Sequence, residues 1–154
     1  MKARSRRWAL LNRFDIMSRH DENDLYIRRL RIVQTPWAGI YLHWIRRPDS
    51  DLNLHDHPWG FGTLILRGGY VEEYCDCPLV LNPAEFPPVV KRREWRRWSW
   101  HTMPHGTAHR IDILQPRTLT LVLVGRRHGS WGFWTPRGWI DWRAFEPEDG
   151  RRAA

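Results

Sequence analysis

Apolar residues in this chain fall in short runs broken by proline, glycine and charge, and almost nowhere keep a helical spacing for long. Residues 25–35 read as a strand with Leu30 and Ile32 on one face, interrupted by Pro36; residues 39–45 read as a second. Arg46-Arg47-Pro48-Asp49-Ser50-Asp51 ends it, a loop by composition. On the second strand Tyr41 and His43 share one face and Leu42 and Trp44 the other, and alternation alone leaves open which face is inside. Residues 63–66 and 70–74 predict a hairpin about Gly68-Gly69, and residues 93–101 predict one strand with an aromatic face carrying Trp98 and Trp100. Two further strands, 108–114 and 118–124, are split by Gln115-Pro116-Arg117, and residues 131–142 read as a closing strand and turn. The exception is residues 6–18, where Trp8, Leu11 and Phe14 recur at roughly helical spacing and predict a short N-terminal helix. Many short strands punctuated by glycine and proline point to an all-β sandwich or barrel.

At 154 residues the chain is long enough for one domain with a real core. The expected layout is a basic arm with the helix over 1–24, a β-barrel over 25–145 and a flexible tail over 146–154. No apolar run approaches the roughly 20 residues of a membrane span. The apolar stretch after the basic start is too short for a secretory signal, so a cytoplasmic protein without membrane contact is the expectation. Net charge is +8, and of 25 basic residues only Lys2 and Lys91 are lysines. Arginine grips phosphate and carboxylate with a planar fork, which favours anionic partners. The arginines come as scattered pairs, however, so a solvated basic surface is expected rather than a specific nucleic-acid site. Both cysteines sit in Cys75-Asp76-Cys77, a spacing at which a disulfide is strained, and reduced thiols on a loop are expected. Residues 78–88 read as a loop.

The candidate chemistry is concentrated in two stretches. In His55-Asp56-His57 the two imidazoles lie on one face of an extended chain and Asp56 on the other, an arrangement able to hold one divalent metal. Downstream, Pro104-His105-Gly106 is turn chemistry that delivers His109 to the start of the next strand. His43 is a candidate for acid–base work, as is Tyr41 beside it on the same face. His101 and His105 flank the second stretch, with His105 a candidate fourth ligand; His20 and His128 lie in polar segments.

Together the two stretches resemble the two motifs of the cupin family: H-x-H, then three or four residues, an acidic position, six residues and glycine; and later P-x-G-x-x-H. His55, His57 and Gly69 fall on the first, and Pro104, Gly106 and His109 on the second. The resemblance implies a single-domain jelly-roll barrel, or double-stranded β-helix, with His55, His57 and His109 as metal ligands; a homodimer is plausible on the same ground. Counted from His57 with four residues between, the acidic position falls on Gly62, and neither Glu72, Glu73 nor Asp112 fits the vacant place. A cupin lacking that carboxylate resembles the three-histidine subgroup, which includes thiol dioxygenases. The reading that follows is a non-haem iron(II) dioxygenase-type oxidoreductase acting on a small anionic molecule. Tyr41 and His43 would handle protons, Arg67 or Arg110 would clamp the anion, and Trp59 would form pocket wall. A zinc- or manganese-dependent isomerase or lyase is the rival enzyme, nickel is a further candidate metal, and a non-catalytic small-molecule-binding cupin is the third alternative.

Overall fold

The structure is a computed structural model that describes residues 9–17, 23–49, 51–75 and 90–146. These contain the strands β1 (Ala9–Met17), β2 (Leu25–Gln34), β3 (Gly39–Ile45), β4 (Phe61–Arg67), β5 (Gly69–Cys75), β6 (Lys91–Arg96), β7 (Trp100–Met103), β8 (Ala108–Leu114), β9 (Thr118–Val124), β10 (Gly132–Thr135) and β11 (Gly138–Asp141). Six form one antiparallel sheet in the order β1-β2-β3-β9-β4-β7. Facing it are the three-stranded set β6-β5-β8 and the hairpin β10-β11. The H-x-H segment stitches these two together: His55 bridges His109 of β8 on one side and Phe133 of β10 on the other. The resulting second layer runs from β6 through the His55 segment to β11.

The core lies between the layers. Ile27, Ile45 and Ile65 come from the six-stranded sheet, and Tyr70 and Ile111 from the facing one, all buried in one cluster. Along β9 the residues facing it are Thr118, Thr120, Val122 and Val124, while Leu119, Leu121 and Leu123 point outward. On β3 it is Tyr41 and His43 that line the interior, and Trp44 that is exposed.

Several expectations are corrected. The stretch expected to be helical is a strand over Ala9–Met17, and no helix occurs among the described residues. Trp8, Leu11 and Phe14 are too few to separate a period of 3.6 from a period of 2. Pairing with β2 decides the matter, since Asp15 stands opposite Arg28 and takes a two-pronged salt bridge, with both N···O distances 3.0 Å. The hairpin expected about Gly68-Gly69 is instead a corner at which the chain leaves one sheet for the other, with Gly68 at φ +68°. The single strand expected over 93–101 is two, β6 and β7, divided at Trp98, which adopts φ +69°. On β2 the cavity is lined by Tyr26, Ile27 and Arg29, and the face shared by Leu30, which alternation alone did not place, points outward. Residues 1–8 and 18–22, which include His20, lie outside the described residues, as do Cys77, the 78–88 loop and residues 147–154 of the tail. Cys75 is buried and takes part in a disulfide, contrary to the free thiol expected. No described helix could cross a membrane.

Candidate metal centre

His55 and His109 exchange both backbone hydrogen bonds, N to O, each at 2.9 Å. Antiparallel neighbours so paired project their side chains on the same side of the sheet. His57, two residues on, joins them by alternation. The ligand atoms of His55, His57 and His109 all lie within 4.8 Å of one another, the one such group of histidine, cysteine or carboxylate ligands among the described residues. Asp56, between the two histidines, turns the other way and anchors the closing hairpin: it accepts from the Gly132 amide at 2.8 Å and from Trp139 Nε1 at 3.0 Å.

Behind His109 stands Glu72, only 2% exposed. His109 Nδ1 donates to Glu72 Oε1 at 2.7 Å, and Trp95 Nε1 donates to Oε2 at 2.9 Å. Burial alone would raise the Glu72 carboxyl, but the bond and charge of His109, helped by His101 and Trp95, hold it below its ordinary value. An ionised carboxylate only accepts, so Nδ1 of His109 is the donor in this bond and Nε2 is the ring nitrogen left for a ligand. That Nε2 is buried and has no hydrogen-bond partner. A buried, unpartnered ring nitrogen at the convergence of two other imidazoles fits a divalent metal, and the carboxylate behind it is the support such a ligand needs. Burial also pushes His57 well below its ordinary value, with His109, His55, Arg29 and His43 acting in the same sense. His55 is lowered as well, by burial first, with Asp49 opposing. Both are therefore neutral at pH 7, the state in which imidazole binds metal.

The cluster opens on a cavity of about 430 Å³ whose wall includes Tyr26, Arg29, Tyr41, His43 and Thr120. Aromatic rings crowd the imidazoles. Phe61 meets His57 edge-on at 5.2 Å, Trp59 lies nearly parallel to it at 6.5 Å, and Trp131 stands 6.1 Å from His55 and stacks on Trp142. Tyr41 donates its hydroxyl to Gln34 Oε1. Burial raises the Tyr41 phenol and pushes His43 well down, the latter with help from Arg29. Tyr41 is thus a phenol, and His43 a neutral imidazole whose buried Nε2 has no partner.

Other expected residues fall elsewhere. Arg67 is exposed at the end of β4, outside the cavity wall. Arg110 is out of phase with His109 and spends its guanidinium on Glu73, at 2.6 Å; Asp112, on that outer face, pairs with Arg92 at 2.7 Å. His105 is exposed and lies beside His128, ring centres 5.1 Å apart, outside the three-histidine group. His101 is buried, bonded to Tyr70 at 2.8 Å and stacked on Trp95. Gly62 does not face the three histidines, because its missing side chain is where the outer Trp100 ring lies. With three residues after His57 rather than four, the motif's acidic position falls on Phe61, which does line the cavity.

Arg29 is the residue that sequence reasoning missed, and Glu72, weighed there only as a replacement ligand, was not seen as the support of His109. For Glu72 the signal was present, since Tyr70, Glu72 and Tyr74 alternate and are all buried. For Arg29 there was none, because an Arg28-Arg29 pair reads as surface.

A β-barrel interior holding three convergent histidines, two from an H-x-H segment and one from the strand beside it, defines the class: the chain has the cupin fold. No family model and no curated protein matches it in sequence. Among solved structures, iron(II) HppE superposes with a TM-score of 0.54 at 13% identity, over 75% of this chain and 56% of that one. PAC13 of Streptomyces, solved with uridine, gives 0.53 at 10% identity and covers 92% of both chains. An oxalate decarboxylase of Bacillus subtilis also gives 0.53 at 10% identity, over 76% of this chain and 28% of the enzyme. The chain thus spans just over half of HppE and little more than a quarter of the decarboxylase. At these identities the likeness establishes the fold, and the chemistry rests on this chain's own residues.

Proposed function

We propose that the protein is a metal-dependent cupin enzyme, a non-haem iron(II) dioxygenase-type oxidoreductase that acts on a small anionic molecule. The observation that carries this reading is the orphaned Nε2 of His109, buried where three imidazoles converge and backed by Glu72. His55, His57 and His109 would hold the metal. Three neutral ligands leave its full positive charge and several coordination positions open, which suits an anionic substrate. Ferrous iron would supply the electron chemistry that dioxygen activation requires, and zinc or manganese only Lewis acidity. The chain's own residues do the rest. Trp59, Phe61 and Trp131 exclude water from the imidazoles. His43, held neutral with Nε2 unpartnered, would accept a proton only transiently, once a bound anion offsets its burial, and the Tyr41 phenol, held by Gln34, would give one.

The test is anaerobic purification with elemental analysis, followed by oxygen uptake against thiols, diketones and catechols. Iron with substrate-dependent uptake is the expected result. Stoichiometric zinc or manganese without uptake would replace this reading with the isomerase or lyase. Metal with neither turnover nor uptake would point to a ligand-binding cupin.

A further inference from the structure

Charged groups in the wall of the cavity have partners, with one exception. Arg47 is ion-paired with Asp24. Asp49 accepts from the Tyr26 hydroxyl and, through Oδ2, from the Ile111 amide at 2.6 Å. Glu72 is held by His109 and Trp95. Arg29, on the inner face of β2, is the exception. Its Nε is buried without a hydrogen-bond partner, and among the described residues it forms no ion pair. What surrounds its guanidinium is aromatic: the rings of Phe14 and Tyr41, with centres 5.6 and 5.4 Å away. Such faces steady a cation but do not satisfy five N–H donors. Directly across the strand pair is His43, whose Nε2 is buried and unpartnered as well.

A half-buried cation whose Nε is buried without a partner, and which meets no counter-ion among the described residues, is favoured where something outside the chain completes it. A planar fork of donors is matched by an oxyanion. We propose that Arg29, flanked by His43, anchors the oxyanion head of a small ligand, a phosphate or a carboxylate, whose other end reaches the three histidines across the same cavity. This assignment rests on the metal-centre reading only for the far end of the ligand; the anchor belongs to the chain alone. Burial lowers Arg29, and the groups that oppose it are the Tyr41 and Tyr26 hydroxyls rather than a carboxylate. Its charge is also felt at His57, so anchor and cluster share one electrostatic space. A cavity of about 430 Å³ is of the size that encloses a small metabolite rather than a polymer.

The experiment uses full-length protein stripped with a chelator, so that no anion can bind through metal. Inorganic phosphate and malonate are titrated separately, read by tryptophan fluorescence, to which Trp59, Trp131 and Trp142 of the cavity wall contribute, and by melting temperature. Saturable binding of at least one is expected, and the stronger of the two identifies the head group. Arg29→Met should weaken it by about tenfold or more, with Arg29→Lys in between, because a charged hydrogen-bonded fork is lost. Arg143→Met, at an exposed site, should leave it unaltered. Metal-free Arg29→Met should melt no lower than the wild type, because it removes a charge whose Nε is buried without a partner. Unchanged anion affinity in Arg29→Met, or an Arg29→Met protein melting well below the wild type, overturns the assignment. Cobalt(II) titration separates the two readings: anion binding without cobalt binding leaves the anchor standing and removes the metal centre, and the reverse result removes the anchor.

Discussion

The two faces of the six-stranded sheet carry neighbouring rows of opposite character. On the inner face Phe14, Arg29, His43, Thr120 and Ile65 stand side by side across β1, β2, β3, β9 and β4. One position along, on the outer face, the row is Leu30, Leu42, Leu121, Leu64 and Trp100 across β2, β3, β9, β4 and β7. Along this row the outside is more apolar than the inside, although Arg13 of β1 extends it opposite Leu30 and the core isoleucines lie on the inner face. Trp100 is 49% exposed, and Trp44 and Leu123 beside that row are exposed too. A sheet organised in this way gives its interior to a polar site, and its outer surface carries an apolar patch of the kind found at protein–protein contacts.

The sharpest way to break this comparison is at the polar end of the interior. His109→Ala, His55→Ala and His57→Ala should each remove most bound metal, while His128→Ala, at an exposed ring, should not; elemental analysis after anaerobic loading decides. Glu72→Gln should keep the fold and weaken metal binding by about 10–100-fold, because the support behind His109 is lost. Full occupancy in His109→Ala would remove the centre altogether.

Next in size are the apolar residues of the two rows. Ile65 is fully buried, so Ile65→Ala should cost about 2–5 kcal/mol in a denaturant titration. Leu121→Ala, on the partly covered outer face, should cost distinctly less. The homodimer expected from the family resemblance would use that outer row, and Leu121→Asp should then convert a dimer to a folded monomer in light scattering. A wild-type monomer would mean that the outer leucines serve the sheet alone.

Gly62 and Phe61 test the register between the two faces directly. Phe61→Glu would put a carboxylate against His57, and should tighten divalent metal while weakening phosphate. Gly62→Glu should leave metal affinity unaltered and destabilise the protein by about 1–3 kcal/mol, because a side chain there meets the Trp100 ring. The opposite ranking, read by cobalt titration, would place Gly62 inside.

The same contrast explains how much was legible beforehand. The fold class and the meeting of the three histidines were readable because glycine, proline and the two histidine motifs act locally: β3 begins at Gly39 and ends at Ile45, as the pattern predicts, and Gly106 takes φ +80° in its turn. The faces were not. The rule that apolar side chains go inside assigns Leu30 to the core, and it fails on β2 because that strand carries Arg29 inward beside His43. Alternation fixes which residues share a face, and only the partner strand says which face is buried. Sheet membership was hidden for the same reason. Gly68 reads as a hairpin turn, yet β4 pairs with β7 and β9 while β5 pairs with β6 and β8.

The smallest effect belongs to the pH dependence of the metal-free protein. Burial holds His43, His55 and His57 below their ordinary values near pH 6.5, most strongly His43 and His57. Below that pH the unfolded chain takes up protons that the folded one refuses, so stability falls as pH drops from about 6.5 toward the folded values. Above that range the three are neutral in both states and contribute no slope. Each such histidine adds about 1.4 kcal/mol per pH unit within its window. His43→Gln should therefore flatten the decline between pH 6.5 and 5.5 by up to that amount, while the curves stay parallel above pH 7.5. Arg29→Met should flatten it as well, by less, because Arg29 is the second cause of the low His43 value after burial. Urea titrations at four pH values measure both slopes. Equal slopes in wild type and His43→Gln would mean that the imidazole is exposed to water, and the inner row would then end at Arg29.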